Sequence, residues 1–144
     1  MNNISVQQMR DANMAMGAAV TFAASHHPFG SYRADTLVGS ILGQIRRRHY
    51  GFAVQNGIIV GYVGWALCQP HVAMAWIENG QTPTFEQCGE GDVVVPIIAI
   101  ADHRSALREL VSHMRNLYGG KIYMGRRALR EGNAVRSGRI GAKR

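Results

Sequence analysis

The chain has 144 residues, of which 47% are hydrophobic and 17% charged, so it can bury the core of one compact domain. Its formal charge of +7 favours an acidic partner, which by charge alone is nucleic acid, phospholipid or an acidic protein. We expect a cytoplasmic protein without a membrane span, because no stretch reaches the roughly 18 apolar residues that a span requires and the N-terminus lacks a signal-peptide pattern. Cys68 and Cys88 lack metal-ligand spacing, which predicts reduced thiols and no bound metal.

The first part of the chain has helical periodicity. Apolar residues recur at helical spacing from Ser5 to Ser25, and Ser5 is available as the N-cap, so the pattern predicts one helix over this stretch. Pro28 ends the helix, because proline disfavours helical geometry in the residue before it. The loop that follows carries two imidazoles, those of His26 and His27.

A second amphipathic helix is predicted over residues 37–45, with Asp35 or Thr36 near its N-cap. It ends in three successive arginines at positions 46–48, and positive charge is favourable at a helix C-terminus. These arginines are the densest positive cluster before the C-terminal segment.

The next segment contains a hairpin signal. Asn56 and Gly57 lie between two apolar runs, and these residues tolerate the positive φ angles that a type I′ turn needs. We therefore predict a hairpin over residues 49–68. A third strand is predicted around His71 to Ile77, followed by a polar connection over residues 78–91.

Beyond that connection, the nearly continuous apolar run from Val93 to Ile100 predicts a buried strand at the centre of the sheet. A helix is predicted over residues 106–117, ending at Gly119-Gly120, and a short strand over Lys121 to Met124. The predicted fold class is α/β (α+β), with a central, mostly antiparallel sheet and flanking helices. A single domain would span residues 1–125, and residues 126–144 would form a basic C-terminal tail.

Several pieces of this sequence resemble the RTX toxin-activating lysine acyltransferases. The matching pieces are Ile45-Arg46, Tyr50, Trp65-Ala66, Gly91-Asp92, Ala106-Leu107 and Met114-Arg115. The likeness extends over roughly residues 17–140. It implies an acyltransferase sheet related to the N-acetyltransferase fold, and homodimers. It also implies transfer of a fatty acyl group from acyl carrier protein to a lysine ε-amine of a protein substrate, with no bound cofactor.

Lysine acylation needs a base that removes a proton from the attacking amine, and histidine suits that role because its ordinary pKa is near 6.5. In the toxin activators this histidine lies in the loop after the first helix, in a Ser-Pro-x-His type motif. The counterpart here is Ser25-His26-His27-Pro28. An ungapped alignment puts Phe29 at the histidine position, and a shift of two residues puts His27 there. The resemblance therefore implies His27 as the base, with His26 beside it.

The family also uses an aspartate within the strand after Gly-Asp, and Ile98 takes that position here. Asp92 and Asp102, at the two ends of the strand, are the nearby carboxylates that could substitute for it. Asp92 is kept as a candidate catalytic residue. Asp102 is predicted to cap the helix that begins near His103 or Arg104.

Arg46, Arg47 and Arg48 are the candidate docking surface for acyl carrier protein, which is strongly acidic, because a basic face speeds encounter with such a partner. The basic segment 126–144 competes for the same partner, or contacts nucleic acid through its phosphates.

A different class of function competes with the enzyme. The missing strand aspartate favours a catalytically idle protein of acyltransferase fold, a binding or structural subunit encoded by a phage or other mobile element. The histidines in the loop after the first helix favour the enzyme.

Overall fold

The computed structural model describes residues 3–129 and 132–141, and these form an α+β fold with four helices and six strands. In chain order the elements are β1 (Ile4–Gln7), α1 (Ala12–Ala24), α2 (Ala34–Arg47), β2 (Tyr50–Gln55), β3 (Ile58–Cys68), α3 (Pro70–Asn79), β4 (Val93–Ala101), α4 (Arg104–Tyr118), β5 (Ile122–Leu129) and β6 (Gly132–Arg139). Among these described residues, no helix is both long enough and apolar enough to cross a bilayer.

The strands form one mixed sheet in the order β1-β2-β3-β4-β5-β6. Strands β1 and β2, β2 and β3, and β5 and β6 pair antiparallel, whereas β4 and β5 pair parallel. The α/β class is therefore confirmed at the level of a mixed sheet with helices. The chain divides into two compact units, one made of residues 1–64 and 98–113 and the other of residues 65–97 and 114–144.

The core of the first unit combines an aromatic cluster with one buried amide. Phe52 and Tyr62 are fully buried, and their ring centroids lie 5.2 Å apart. Gln44 is also fully buried, and its Oε1 accepts a 2.6 Å hydrogen bond from the Tyr62 hydroxyl. Its Nε2 donates to Ser40 Oγ at 3.1 Å. A buried amide without partners is costly, so these two bonds are what allow Gln44 to sit in the core.

The second unit has an apolar core of its own, drawn from the end of β3, from α3 and from the start of β4. Its buried members are Ala66, Cys68, Val72, Ala73, Ile77, Cys88, Val93 and Val95. Both cysteines are reduced and buried. Trp65 is buried in the same unit, and its indole N–H donates to the Tyr118 hydroxyl at 2.9 Å.

Two predictions about the sheet are confirmed. Strands β2 and β3 form the hairpin, with Asn56 at φ 52° and Gly57 at φ 76°, as the type I′ turn requires. Strand β4 covers the predicted segment from Val93 to Ile100 and lies between β3 and β5, although Pro96 and Ala99 within it are exposed. Turn chemistry and a long apolar run were sufficient signals for these elements.

The strand predicted around His71 to Ile77 is wrong, because this segment is helix α3. Pro70 occupies the first helical turn, where its missing N–H costs nothing, and Gly80 takes a left-handed φ of 71° after the last residue. Val72 and Ala73 are both buried, which a strand that faces one core would not allow.

The prediction of one helix from Ser5 to Ser25 is right only for its second half. Residues 4–7 form the strand β1, in which burial alternates along the chain. Helix α1 begins at Ala12, and Asp11 is its N-cap, because the Asp11 carboxylate accepts a 2.9 Å hydrogen bond from the Met14 N–H. Ser5 is therefore not a helix cap.

Strands β5 and β6 occupy most of the segment that the sequence suggests is a basic tail from residue 126 onward. Their register runs from Ile122 opposite Arg139 to Leu129 opposite Gly132. The short strand predicted over residues 121–124 is thus the start of a longer one. Residues 142–144 lie outside the described residues.

Candidate active site

An open groove in the first unit collects most of the histidines that the sequence singles out. Its volume is about 530 Å³, within the range of roughly 300 to 1,000 Å³ that is usual for small-molecule sites. The lining residues are His26, His27, Ala99, Ile100, Ala101, His103, Arg104 and Leu107. The groove therefore has an apolar floor from the end of β4 and a polar rim from the loop after α1 and the start of α4.

His26 is held at this rim by the way in which α1 ends. Ser25 is the C-cap, and the backbone N–H of His26 still donates to the Ala23 carbonyl at 3.0 Å. The imidazole then folds back over the last turn, where its ring centroid lies 4.4 Å from that of Phe22. Both ring nitrogens find partners in this position.

The two partners of His26 are both hydrogen-bond acceptors. Nε2 lies 2.7 Å from Asp102 Oδ1, and Nδ1 lies 2.7 Å from the Phe22 carbonyl oxygen. Two acceptors favour a ring that carries a proton on each nitrogen. The pKa of His26 is accordingly raised, first by the hydrogen bond to Asp102. Burial is second in size and opposes this increase, and the Phe22 carbonyl adds a smaller increase.

The hydroxyl of Ser25 joins the hydrogen-bonded pair of His26 and Asp102. Its Oγ lies 3.1 Å from Nδ1 of His26, and it donates to the Phe22 carbonyl at 2.8 Å. Asp102, His26 and the hydroxyl of Ser25 therefore form a continuous polar chain along the end of α1. The Phe22 carbonyl is shared by the imidazole and the hydroxyl, which fixes the orientation of both.

His27 lines the same groove, but its side chain is not held in place as that of His26 is. Its side chain is exposed and makes no hydrogen bond to any residue in the described part of the chain. The carboxylate and the carbonyl oxygen that orient an imidazole in this groove both contact His26 instead. The geometry thus separates two adjacent histidines into an oriented one and an unrestrained one.

His103 caps helix α4, so the prediction that Asp102 is the cap is wrong. Nδ1 of His103 accepts a 3.2 Å hydrogen bond from the Ala106 N–H, and Nε2 lies 3.1 Å from Gln55 Oε1. The carboxylate of Asp102 instead binds His26, while its backbone N–H donates to the Val60 carbonyl at 2.8 Å. Pairing with the imidazole removes this carboxylate from the helix end.

Asp92 does not line the groove. It precedes β4 in the second unit, and its Oδ1 lies 3.7 Å from Nζ of Lys121. The nine residues of β4 separate it along the chain from Asp102. Ile98 is 2% exposed, as an apolar residue of an interior strand should be. Of the candidate catalytic residues, the groove therefore brings together His26 and His27 but not Asp92.

The arginine cluster at the end of α2 does not present three equivalent side chains. Arg46 and Arg48 are exposed, but Arg47 is half-buried, with Nε 3.4 Å from Nδ1 of His49. The pKa of His49 is lowered to about 4, by burial first and by the positive charge of Arg47 second. Of the three candidate docking residues, Arg46 and Arg48 are therefore accessible to a partner, and Arg47 is only partly so.

Comparison with known proteins gives no matching family model and no matching curated protein. Within the described part of the chain, no group of three or more histidine, cysteine or acidic side chains could hold a metal ion. The chemistry of the groove must therefore be argued from its own residues. They supply an imidazole bound to a carboxylate, two further imidazoles, a guanidinium and apolar walls.

Proposed function

We propose that this protein is a lysine acyltransferase that moves a fatty acyl group from acyl carrier protein to a lysine ε-amine of a protein substrate. The observation that carries the proposal is the hydrogen bond between Asp102 and His26, the imidazole that lines the groove. The resemblance to the toxin activators gives the reaction class. The groove supports it because an oriented imidazole is the group that amine acylation requires.

His26 is the base in this proposal, because its tautomer can be fixed without Asp102. The Phe22 carbonyl accepts the proton on Nδ1, which leaves Nε2 to exchange a proton with the substrate. The incoming lysine ammonium takes the place of the imidazole as the donor to Asp102. It then gives one proton to Nε2 and becomes the free amine that attacks.

The amine nitrogen bonds to the thioester carbonyl carbon, and the carbonyl oxygen becomes an oxyanion. Arg104, at the start of α4 and on the rim of the groove, provides positive charge for that oxyanion. Collapse breaks the carbon–sulfur bond, and the proton held on Nε2 goes to the leaving thiolate. The nitrogen releases its remaining extra proton to water in the open groove. The products are an amide on the lysine and a free thiol on the carrier.

Asp102 takes over, in this proposal, the part that a strand aspartate plays in the resembling family. Ile98 occupies that strand position and is buried, so it cannot orient an imidazole. Asp102 follows β4 directly and reaches the imidazole from the end of the strand instead. A carboxylate four residues further along the chain thus holds the imidazole at rest, until the substrate ammonium replaces it as the donor to Asp102.

The test measures acyl transfer by intact-mass spectrometry, with acylated carrier protein as donor and a panel of lysine-containing proteins as acceptors. Replacing His26 with Ala should lower the rate by about 10²- to 10⁴-fold, the usual effect of removing a positioned base. The adjacent His27→Ala variant is the matched control, and it should lose less than tenfold. Undiminished transfer by the His26 variant contradicts the assignment of the base, and absence of transfer by the natural protein contradicts the function.

A second candidate is an idle protein of the same fold that binds nucleic acid or an acidic protein. Residues 126–144 contain seven basic residues and one acidic residue, so they hold most of the net charge of +7. They include the second half of β5 and all of β6. This candidate predicts no acyl transfer with any acceptor, and salt-dependent binding to duplex DNA.

A further inference from the structure

We infer that the outer face of the first two turns of α4 is the docking surface for the acidic carrier protein, and that the arginines at the end of α2 are not. The inference rests on the proposed function for the identity of the partner. It adds the surface by which that partner reaches the groove.

The outer face of α4 carries two rows of exposed side chains. Arg104 and Arg108 are four residues apart and so lie on the same side of the helix. Leu107 and Val111 form a second row beside them and are 45% and 42% exposed. An α-helix turns about 100° per residue, so Glu109 points well away from Arg108. Basic and apolar groups thus alternate over one continuous strip, which we call the α4 strip.

The composition of the α4 strip matches one kind of partner. Exposed leucine and valine side chains bury apolar area on contact, whereas arginine pairs with carboxylates and remains at the rim. A surface with both features fits a helix that presents carboxylates with apolar residues between them. Phosphate groups of nucleic acid would use the arginines but leave Leu107 and Val111 in water.

The position of the α4 strip gives the second argument. Arg104 and Leu107 belong both to the strip and to the lining of the groove that holds His26. A carrier bound along the strip therefore delivers its thioester directly to that groove. Arg46 and Arg48 are exposed but do not line it, and Arg47 is turned towards His49.

Charge reversal at Arg108 tests the inference, since Arg108 lies in the α4 strip but not in the groove. The Arg108→Glu variant should weaken binding of fluorescently labelled carrier protein at low salt by at least tenfold, because the local field changes sign. Transfer from the carrier should show the same loss in kcat/KM. Transfer from acyl-pantetheine, which lacks the protein surface, should stay within twofold of the natural protein.

Two further variants make the result decisive. Val111→Glu should also weaken carrier binding, since it places a carboxylate in the apolar row. Arg46→Glu is the matched control, because it reverses an exposed arginine on another helix, and it should bind the carrier normally. If Arg46→Glu loses binding while Arg108→Glu keeps it, the inference is overturned in favour of the α2 arginines.

The binding assay separates failure of the inference from failure of the proposed function. If the natural protein binds the carrier, Arg108→Glu abolishes that binding and neither donor supports transfer, then the docking surface is correct and the acyltransferase function is wrong. If Arg108→Glu leaves transfer from the carrier undiminished, then the acyltransferase function stands and the proposed docking surface is wrong. If the natural protein does not bind the carrier at low salt, the inference is wrong.

Discussion

The pKa of His26 is raised because the hydrogen bond to Asp102 outweighs the opposing effect of burial. A ring with an acceptor on each nitrogen holds its second proton more firmly, and the raised pKa of His26 follows from the Asp102 hydrogen bond first. A base of this kind works only above its own pKa. We therefore expect acyl transfer to increase with pH through a value above the ordinary 6.5 of histidine.

Replacing Asp102 with Asn should change the pH dependence of stability in a defined direction. A folded-state pKa raised above the unfolded value stabilises the fold fully below the unfolded value, and this stabilisation is lost as the pH rises through the folded pKa. The melting temperature of Asp102→Asn should therefore fall below that of the natural protein near pH 6 and approach it at alkaline pH. Because Asp102 is 45% exposed, solvent screening keeps the difference small, on the order of 0.5 kcal/mol.

Histidine proton resonances give the direct measurement for this variant. The pKa of His26 should decrease in Asp102→Asn, while that of His49, which depends on burial and on Arg47, should stay where it is. An unchanged His26 titration would mean that the carboxylate does not hold the proton, and the proposed role of the pair would be lost with it.

Among the helices and strands, the sequence predicts correctly those that are determined by local features of the chain, namely the hairpin turn and strand β4. Asn56 and Gly57 specify their turn through φ alone, and the run from Val93 to Ile100 needs an interior strand to bury it. The sequence does not predict helix α3, because its apolar residues are also compatible with a strand. The burial of both Val72 and Ala73, which excludes a strand that faces one core, is visible only in the structure. The residue preferences of so short a segment do not decide between helix and strand, because tertiary packing determines which of the two forms.

The end of α2 offers a prediction that depends only on backbone geometry. Arg48 terminates the helix at φ 58° and ψ 33°, the left-handed region in which a Cβ costs about 1–2 kcal/mol. Replacing it with Gly should raise the free energy of unfolding by about 0.5–1 kcal/mol, less than the full strain because glycine loses more backbone entropy on folding.

Urea unfolding at neutral pH measures that change. Arg46→Gly is the control, since it removes the same charge from inside the helix and should destabilise the fold. A loss of stability in Arg48→Gly equal to that in the control would show that the charge, not the backbone angle, dominates at this position.

At the scale of the whole molecule, the sequence identified the loop of the site but not its carboxylate. The two histidines were predicted from their place after α1, and both line the groove. Asp102 was assigned to a helix cap because that is the usual role of an aspartate between a strand and a helix. Its contact with His26 joins residues 76 positions apart, and no local pattern encodes such a pair.

Residues 126–144 contribute to the sheet, although composition alone suggests that they form a basic tail outside the domain. Strand β5 pairs with β4 from Val93 opposite Ile122, and Met124 packs against the core of the second unit. A chain ending at residue 125 keeps these contacts but loses β6, which pairs with β5 along its whole length. The shortened β5 then becomes an unpaired edge, which both destabilises the sheet and promotes association between chains.

We expect this shortened chain to melt roughly 10 °C lower than the natural protein, as a loss of about 2–3 kcal/mol implies for a domain of this size. A chain ending at residue 141 removes two of the same basic residues without touching β6 and should melt normally. Calorimetry on both chains, with light scattering to detect association, compares them. Equal melting of all three proteins would mean that β6 adds no stability, and residues 126–144 would then be free to serve an acidic partner alone.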